Sequence, residues 1–430
     1  MQPMKLVDGT KVLTMIRRAL NLVDRRMVDH GVKVALVYQA MLQAEGRHDA
    51  KRLQELVLLA LLHDIGAYRL EDVDQLVQVE AQHAWEHAVN GYLFLREYFP
   101  QGDPARVVLY HHARYQDHWP EEEDILHDAY LLCVADRVCI WHDELGRSKE
   151  QMKQHLEQKA GTLFAPEAVC TYLEADQKFR IWDSLDGLPQ LEKLTVCAAT
   201  PLEDAERYLS ILVNAIDFRS RTTVNHTKSV MEIAYQLAQL AQLPLQTCRK
   251  IYFGAMLHDL GKIGTPLEIL EKPGRLTPKE MDVMRQHVEL GRQIIHNCVD
   301  EETEQIAMRH HERPNGGGYP LGLEAHHLTL PQRLLAVADV ASALCMARSY
   351  KEAFPKERSL AIMQDMAAQG QLDGGLVQLL KKHFDQVLGA AALRCTPPPE
   401  EYDRIQKESA RMIKYFSDIS PPCRAANERK

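Results

Sequence analysis

Apolar residues recur at three- and four-residue intervals along nearly the whole chain, and runs that alternate apolar with polar are almost absent. That period predicts helices. Segments 53–62, 209–216, 230–243, 248–257 and 330–347 carry it most clearly, at helical spacing or as buried helical runs. Turn signals are sparse and local: Pro273-Gly274, the stretch 315–320, and Thr396-Pro397-Pro398-Pro399. The pattern predicts an all-α protein. It also repeats. Gly161-Thr162-Leu163-Phe164 resembles Gly370-Gln371-Leu372-Asp373, and each precedes an apolar-patterned helix. We read a first domain over 1–195, a second over 200–396, and a C-terminal helix with a polar, frayed tail over 397–430. The connection between the domains falls in 183–204.

Composition narrows the class. A chain of 430 residues with 46% hydrophobic and 26% charged content has ample material for two or three cores. Its net charge of −9 argues against a general binder of polymeric nucleic acid. An anionic substrate would need local positive charge, from metals or a few Lys and Arg. The nine cysteines are scattered, odd in number and without a Cys-x-x-Cys pair. That suits free thiols in a reducing cytosol. The longest apolar run, 56–62, is too short to span a bilayer. The N-terminus does not read as a signal peptide. The expectation is a soluble, cytoplasmic protein with no membrane partner.

The chemistry lies in a repeated set of His and Asp. In the second half it is His226, His258, Asp259, His287, His310, His311 and Asp339; in the first it is His30, His63, Asp64, His87, His111, His112 and Asp136. Order is kept, and each later member follows its counterpart by 195 (His63 to His258) to 203 residues (Asp136 to Asp339). A lone His on an apolar helix is usually a hydrogen-bonded core residue, and a His-Asp dipeptide is weak evidence. The chain has five: His48-Asp49, His63-Asp64, His127-Asp128, His142-Asp143 and His258-Asp259. Only the second and fifth follow a long apolar helix and precede a Gly two residues on. Taken jointly, the second-half set favours metal. Imidazole and carboxylate ligands without Cys suit Fe, Mn, Zn, Ni or Co. Seven are too many for one closed tetrahedral site and enough for two ions. Paired ions lower the pKa of bound water and oppose charge building on a phosphodiester. Lys262, three residues past Asp259, falls on the same side if the turn stays helical and could reach a phosphoryl oxygen; the plain alternative is a surface lysine. The three glycines Gly316, Gly317 and Gly318 form either a surface turn or a loop shaping the substrate entrance.

These residues carry a specific resemblance over about 205–395. His258-Asp259 with Gly261-Lys262-Ile263, the segment 272–277, the stretch 284–291 with His287, and His310-His311-Glu312-Arg313-Pro314-Asn315-Gly316-Gly317-Gly318-Tyr319-Pro320 are similar to the HD-GYP phosphodiesterases. So are Ala338-Asp339-Val340 and Arg348-Ser349-Tyr350-Lys351. The resemblance implies two tandem HD-type helical domains, the second an HD-GYP domain. It implies divalent metals, often iron or manganese, held by the second-half set. It also implies hydrolysis of 3′,3′-cyclic dinucleotides (3′,3′-cGAMP, cyclic di-GMP or both) to linear 5′-phosphorylated dinucleotides in bacterial second-messenger signalling. Asp259 and Lys262 would be catalytic, with Lys262, Arg348 and Lys351 on the substrate phosphate. Asn315 stands where the family usually has Asp, which predicts altered loop contacts without lost catalysis. Thr222 stands where trinuclear members place a Glu, which favours two ions.

The first half keeps all seven candidate ligands and departs elsewhere. Ala67 takes the lysine's place, and Ala113-Arg114-Tyr115-Gln116 follows the His pair where the Gly-Tyr-Pro loop would be. Its set could still hold metal, could be a relict whose histidines are structural or regulatory, or could form a different phosphohydrolase pocket. A divergent HD domain directly before an HD-GYP domain resembles the 3′,3′-cyclic GMP-AMP phosphodiesterases. Rival readings are an HD-type nucleotidase, which would lack the 310–320 loop, and a non-catalytic nucleotide-sensing module, which should have lost ligands or Lys262. A second copy of the chain or a signalling protein is left open as partner.

Overall fold

The computed structural model describes residues 9–23, 29–66, 84–98, 103–143, 146–186, 193–194, 209–214, 225–272, 274–346, 353–395 and 399–420. Among them every extended pairing is an isolated bridge, and the rest of the regular structure is helical. The chain forms two compact units, one built on 8–208 with 404–430 and the other on 209–403.

The first unit contains α1 (Gly9–Val23), α2 (His30–Glu45), α3 (Ala50–Leu61), α4 (Ala84–Tyr98), α5 (Arg106–Leu109), α6 (Glu123–Asp143), α7 (Lys149–Lys159) and α8 (Pro166–Phe179). The second contains α9 (His226–Leu240), α10 (Leu245–Leu257), α11 (Pro278–Ile295), α12 (Glu301–Met308), α13 (Leu330–Cys345), α14 (Lys356–Ala368), α15 (Gly374–Lys382) and α16 (Phe384–Arg394). A last helix, α17 (Pro399–Ile419), follows. The internal repeat is therefore one of elements. α2, α3, α4, α5 and α6 correspond to α9, α10, α11, α12 and α13.

Local chemistry sets the helix starts. Thr277 and Thr329 accept from the third backbone N–H of α11 and α13, while Glu280 and Gln332 reach back to the cap residue; Pro278 and Pro331 occupy the first turn. Asp49, Asp300 and Asp373 cap α3, α12 and α15 in the simpler way. Two of the spare His-Asp dipeptides turn out structural: Asp49 is a cap, and His48 pairs with buried Asp128 at 2.8 Å.

The cores form where apolar faces meet. α2 packs on α3, α6 and α8, and α9 on α10, α13 and α16. Leu56 to Leu62 are all buried, as are Ile251, Ala255, Leu257, Leu334, Leu335, Val337 and Ala338. Burying each large aliphatic side chain contributes about 1.5–3 kcal/mol. From Arg404 on, α17 joins the first unit. Phe416 stacks on Trp85 with ring centroids 4.8 Å apart, Arg96 pairs with Glu408 at 2.7 Å, and Ser409 donates to Asn90 Oδ1 at 2.8 Å. A stacked aromatic pair adds about 0.5–1.5 kcal/mol beyond its burial.

Candidate metal centres

All seven predicted residues of the second repeat converge. His226 opens α9, His258 ends α10 and Asp259 follows it. His287 lies on α11, His310 and His311 follow α12, and Asp339 lies on α13. Backbone carbonyls aim three of the imidazoles. Nδ1 of His258, His287 and His310 faces the carbonyl oxygen three residues back (Ala255, Met284, Ala307) at 2.7, 2.6 and 2.7 Å. Each Nδ1–H therefore donates outward and each Nε2 lone pair points into the pocket. His226 Nδ1 bonds Ser342 Oγ at 2.9 Å, and Ser342 Oγ lies 2.5 Å from Ser229 Oγ.

Asp259 sits between the two groups. Its Oδ2 is 3.2 Å from His258 Nε2 and 3.6 Å from His226 Nε2; its Oδ1 is 3.6 Å from His287 Nε2 and 4.0 Å from His310 Nε2. His226 Nε2 also lies 3.2 Å from Asp339 Oδ1, and His311 Nδ1 lies 3.9 Å from Asp339 Oδ2. Candidate donor atoms of His226, His258 and Asp259 fall within 4.8 Å of one another, and so do those of His287, His310 and His311. One carboxylate thus turns an oxygen toward each of two ligand groups. The bend that allows this is tight. A Cβ on Gly261 would lie 1.8 Å from the His287 carbonyl oxygen and 2.4 Å from Gly291 N, so only glycine brings the turn Leu260–Gly264 onto α11.

The electrostatics suit cation ligands. Burial opposes the charge on Asp259, yet His258 and Lys262 beside it hold its carboxyl well below the usual carboxylate range. Burial pushes His287 down to about 4 and His311 down to about 3, and drives His310 well below its ordinary value as well. These rings are neutral at pH 7 and keep a lone pair to give. His258 Nε2 and Asp259 Oδ1 are fully buried with no hydrogen-bond partner in the protein. Orphaned acceptors on a buried imidazole and a buried carboxylate are costly unless a cation satisfies them. The donor set fits transition-metal ions. Ser342 supports it from behind, so Ser342→Ala is expected to weaken metal retention about 10-fold. Metal content after dialysis against graded chelator measures it, and unchanged retention would show that His226 is aimed by other means.

The first repeat reproduces this layout. His63 and His111 turn Nδ1 to the carbonyls of Ala60 and Val108 at 2.8 and 2.5 Å, and their Nε2 atoms are buried without partners. Asp64 Oδ2 is 3.2 Å from His63 and 3.8 Å from His30, and its Oδ1 is 3.6 Å from His87. Asp136 Oδ1 lies 3.0 Å from His30 Nε2. A Cβ on Gly66 would lie 2.1 Å from the His87 carbonyl oxygen, the counterpart of Gly261. The two pockets differ at their mouths: the Asp64 side chain is 29% exposed and that of Asp259 is 5%. They also differ at His112. Its Nε2 lies 2.8 Å from His87 Nε2, and Arg137 Nη2 reaches its Nδ1 at 3.3 Å.

Lys262 Nζ sits 2.5 Å from Asp259 Oδ2, on the rim of the second pocket. Arg348 and Lys351 lie outside the described residues, as do Ala67 and Thr222. The glycine loop is tied to the site. Tyr319 N donates to the His311 carbonyl at 3.2 Å, and the Tyr319 ring packs on His311 at 4.6 Å. Glu312, buried, accepts from Leu321 N and Leu323 N at 2.7 and 2.8 Å. Asn315 makes the turn contact its amide allows: Oδ1 accepts from Gly317 N at 3.0 Å, and Nδ2 donates to the Gln369 carbonyl at 2.9 Å. Sequence reading missed Ser229, Ser342, Glu312 and Arg137. It also missed the residue before the first His of each set. Asp29 and Asn225 both adopt left-handed backbone, with φ of 63° and 65°. The signal was legible, since Asp and Asn are the non-glycine residues that take this conformation most readily.

HD domain models match residues 210–376 and 27–141. The chain is 28% identical over 401 residues to 3′3′-cGAMP-specific phosphodiesterase 1 of Vibrio cholerae, covering 86% of this chain and 90% of that protein. It is 38% identical over 186 residues to the cyclic di-GMP phosphodiesterase response regulator RpfG of Xanthomonas campestris, covering 42% of this chain and 49% of that one. Among solved structures, a cyclic GMP-AMP specific phosphodiesterase of V. cholerae superposes with a TM-score of 0.54 at 19% identity, over 91% of this chain and 99% of that one. That likeness shows the fold.

Proposed function

We propose that this chain, which belongs to the HD-domain family and carries two such domains in tandem, is a metal-dependent phosphodiesterase. It opens 3′,3′-cyclic dinucleotides (3′,3′-cGAMP, cyclic di-GMP or both) to linear 5′-phosphorylated dinucleotides at its second HD domain. The observation that carries this reading is Asp259, a buried carboxylate turning one oxygen to His226 and His258 and the other to His287 and His310. Support for the substrate class comes from the relatives: the one aligned over 401 residues is a 3′3′-cGAMP phosphodiesterase, and another over 186 is a cyclic di-GMP phosphodiesterase.

Two divalent ions, iron, manganese or similar, would be held by His226, His258, Asp259, His287, His310, His311 and Asp339, and when bound they supply acidified water and charge to offset the phosphorane-like transition state. The remaining steps belong to the protein. The carbonyl-anchored imidazoles are pre-aimed, so these rings need not reorganise as the reaction begins. Lys262 keeps an ammonium beside Asp259 with 17% of its side chain exposed, where it can swing to a non-bridging phosphate oxygen. Arg348 and Lys351 are proposed as further phosphate contacts. The loop locked by Glu312 and Tyr319 walls the pocket on the His311 side. The described cysteines are free, which supports a reducing, cytoplasmic setting, and no described helix is long and apolar enough to cross a membrane.

The test is chromatography of products after incubating manganese- or iron-loaded protein with cyclic di-GMP, cyclic di-AMP and 3′,3′-cGAMP side by side. A linear dinucleotide from at least one is expected, and none from any would overturn the reading. Assigning cleavage to the second repeat adds a prediction. The double variant His63→Ala, Asp64→Ala should keep cleavage within about 3-fold. Loss of cleavage in a still-folded variant would show that the first pocket takes part.

A further inference from the structure

Besides Lys262, whose place Ala67 takes, the two pockets share a ligand list and differ in one further charge. Where the second repeat reads Ala338-Asp339-Val340, the first reads Ala135-Asp136-Arg137. An apolar residue beside the ligand aspartate has become a permanent cation. We propose that Arg137 is a built-in cation that takes the place of one metal ion, leaving the first repeat a single-cation pocket while the second holds a pair. The pair is part of the function proposed above; the single cation rests on the first repeat alone.

The argument is a chain of hydrogen-bond roles. A guanidinium donates and never accepts. Arg137 Nη2 lies 3.3 Å from His112 Nδ1, so Nδ1 is the acceptor. A neutral imidazole with its lone pair on Nδ1 carries its proton on Nε2. His112 Nε2 then donates to His87 Nε2, 2.8 Å away. That bond uses the one lone pair His87 turns toward the pocket. Arg137 therefore takes two imidazoles out of the ligand set, and its own charge stands where a further cation would be repelled. What remains available is His30, His63, Asp64 and Asp136, with His111 next to them. His30, His63 and Asp64 place donor atoms within 4.8 Å of one another; His87, His111 and His112 do so too, but two of those three are engaged in the chain from Arg137.

The second repeat cannot do this. Val340 has no donor, and His311 turns Nδ1 toward Asp339 at 3.9 Å. His287 and His310 also bring their Nε2 atoms within 3.4 Å, but both Nδ1 atoms face backbone carbonyls, so both Nε2 lone pairs stay available. Retained ligands in the first repeat therefore do not imply retained metal number.

The experiment is manganese counting on the full chain with the second site disabled by His258→Ala and Asp259→Ala. One equivalent is expected with Arg137 present and two after Arg137→Val, the residue the second repeat carries. The added ion should produce the exchange-coupled spectrum of a manganese pair in electron paramagnetic resonance. An unchanged count in Arg137→Val would overturn the proposal, and so would two equivalents, or none, with Arg137 intact. Should Arg137→Val fail to fold, nitrogen-15 resonances of His112 in the unsubstituted metal-free chain decide, assigned by comparison with His112→Gln. A protonated Nε2 with bare Nδ1 is expected, and the opposite tautomer would overturn it. None of these readouts depends on cleavage, so they stay interpretable whatever substrate the second repeat takes.

Discussion

Replacing Asp259 with asparagine is expected to lower cyclic-dinucleotide cleavage on the order of 10³-fold or more and to strip bound metal from the second repeat. The substitution nearly preserves volume. It removes the charge and turns one oxygen into an amide donor. Oδ1 and Oδ2 each face imidazole Nε2 atoms at 3.2–4.0 Å. Whichever way the amide settles, one ligand group meets N–H in place of an acceptor. The permanent loss is the anion that offsets the positive charge gathered in a buried pocket, where Lys262 adds more at 2.5 Å. Burial magnifies that loss, because little water screens it. Metal analysis and turnover should fall together. Full metal content with lost turnover would place Asp259 in proton transfer, and full turnover would remove it from the site.

The convergence of the seven candidate ligands was legible because its signal is redundant. Seven residues, five His and two Asp in one order, twice, leave little room for coincidence, and each falls on corresponding elements in the two units. Spacing shows which residues recur. It does not show what holds them in place. Ser342 supports His226 from 116 residues away, and a serine on a mostly apolar helix looks like any other. Lys262 was legible as a pocket residue, yet its bond to Asp259 depends on how the short turn after α10 winds. The docking of α17 was hidden for a similar reason. Its sequence is amphipathic, which says that one face is buried and not against what; its partners Trp85, Asn90 and Arg96 lie more than 300 residues earlier. Arg137 is the most instructive omission. In sequence it is one basic residue after an aspartate, and only the distance to His112 gives it a role.

Acid should destabilise the metal-free chain well before its carboxylates protonate. Burial holds His287 at about 4 and His311 and His111 at about 3, against about 6.5 for a solvated histidine. Between pH 6.5 and 4 the unfolded chain therefore binds protons that the folded chain refuses. Stability is fully present above pH 6.5 and is lost as pH falls toward the folded values. For His287 alone the window corresponds to roughly 3 kcal/mol. That is about 6–12 °C in midpoint for a unit of this size. His310 and His112, also driven well below the ordinary value by burial, act in the same direction. His258 and His63 oppose them: burial works against their charge, but Asp259 and Asp64 raise them overall, so each adds stability at low pH that fades as pH rises. The depressed group is the larger, and the net slope should be downward with acid. Thermal melts of chelator-treated protein from pH 7.5 to 4.5 measure it, and His287→Gln should flatten the slope of the second unit while leaving the first unchanged. A midpoint that holds steady down to pH 5 would mean these imidazoles are hydrated in solution, and the dry pocket that makes them ready ligands would be wrong.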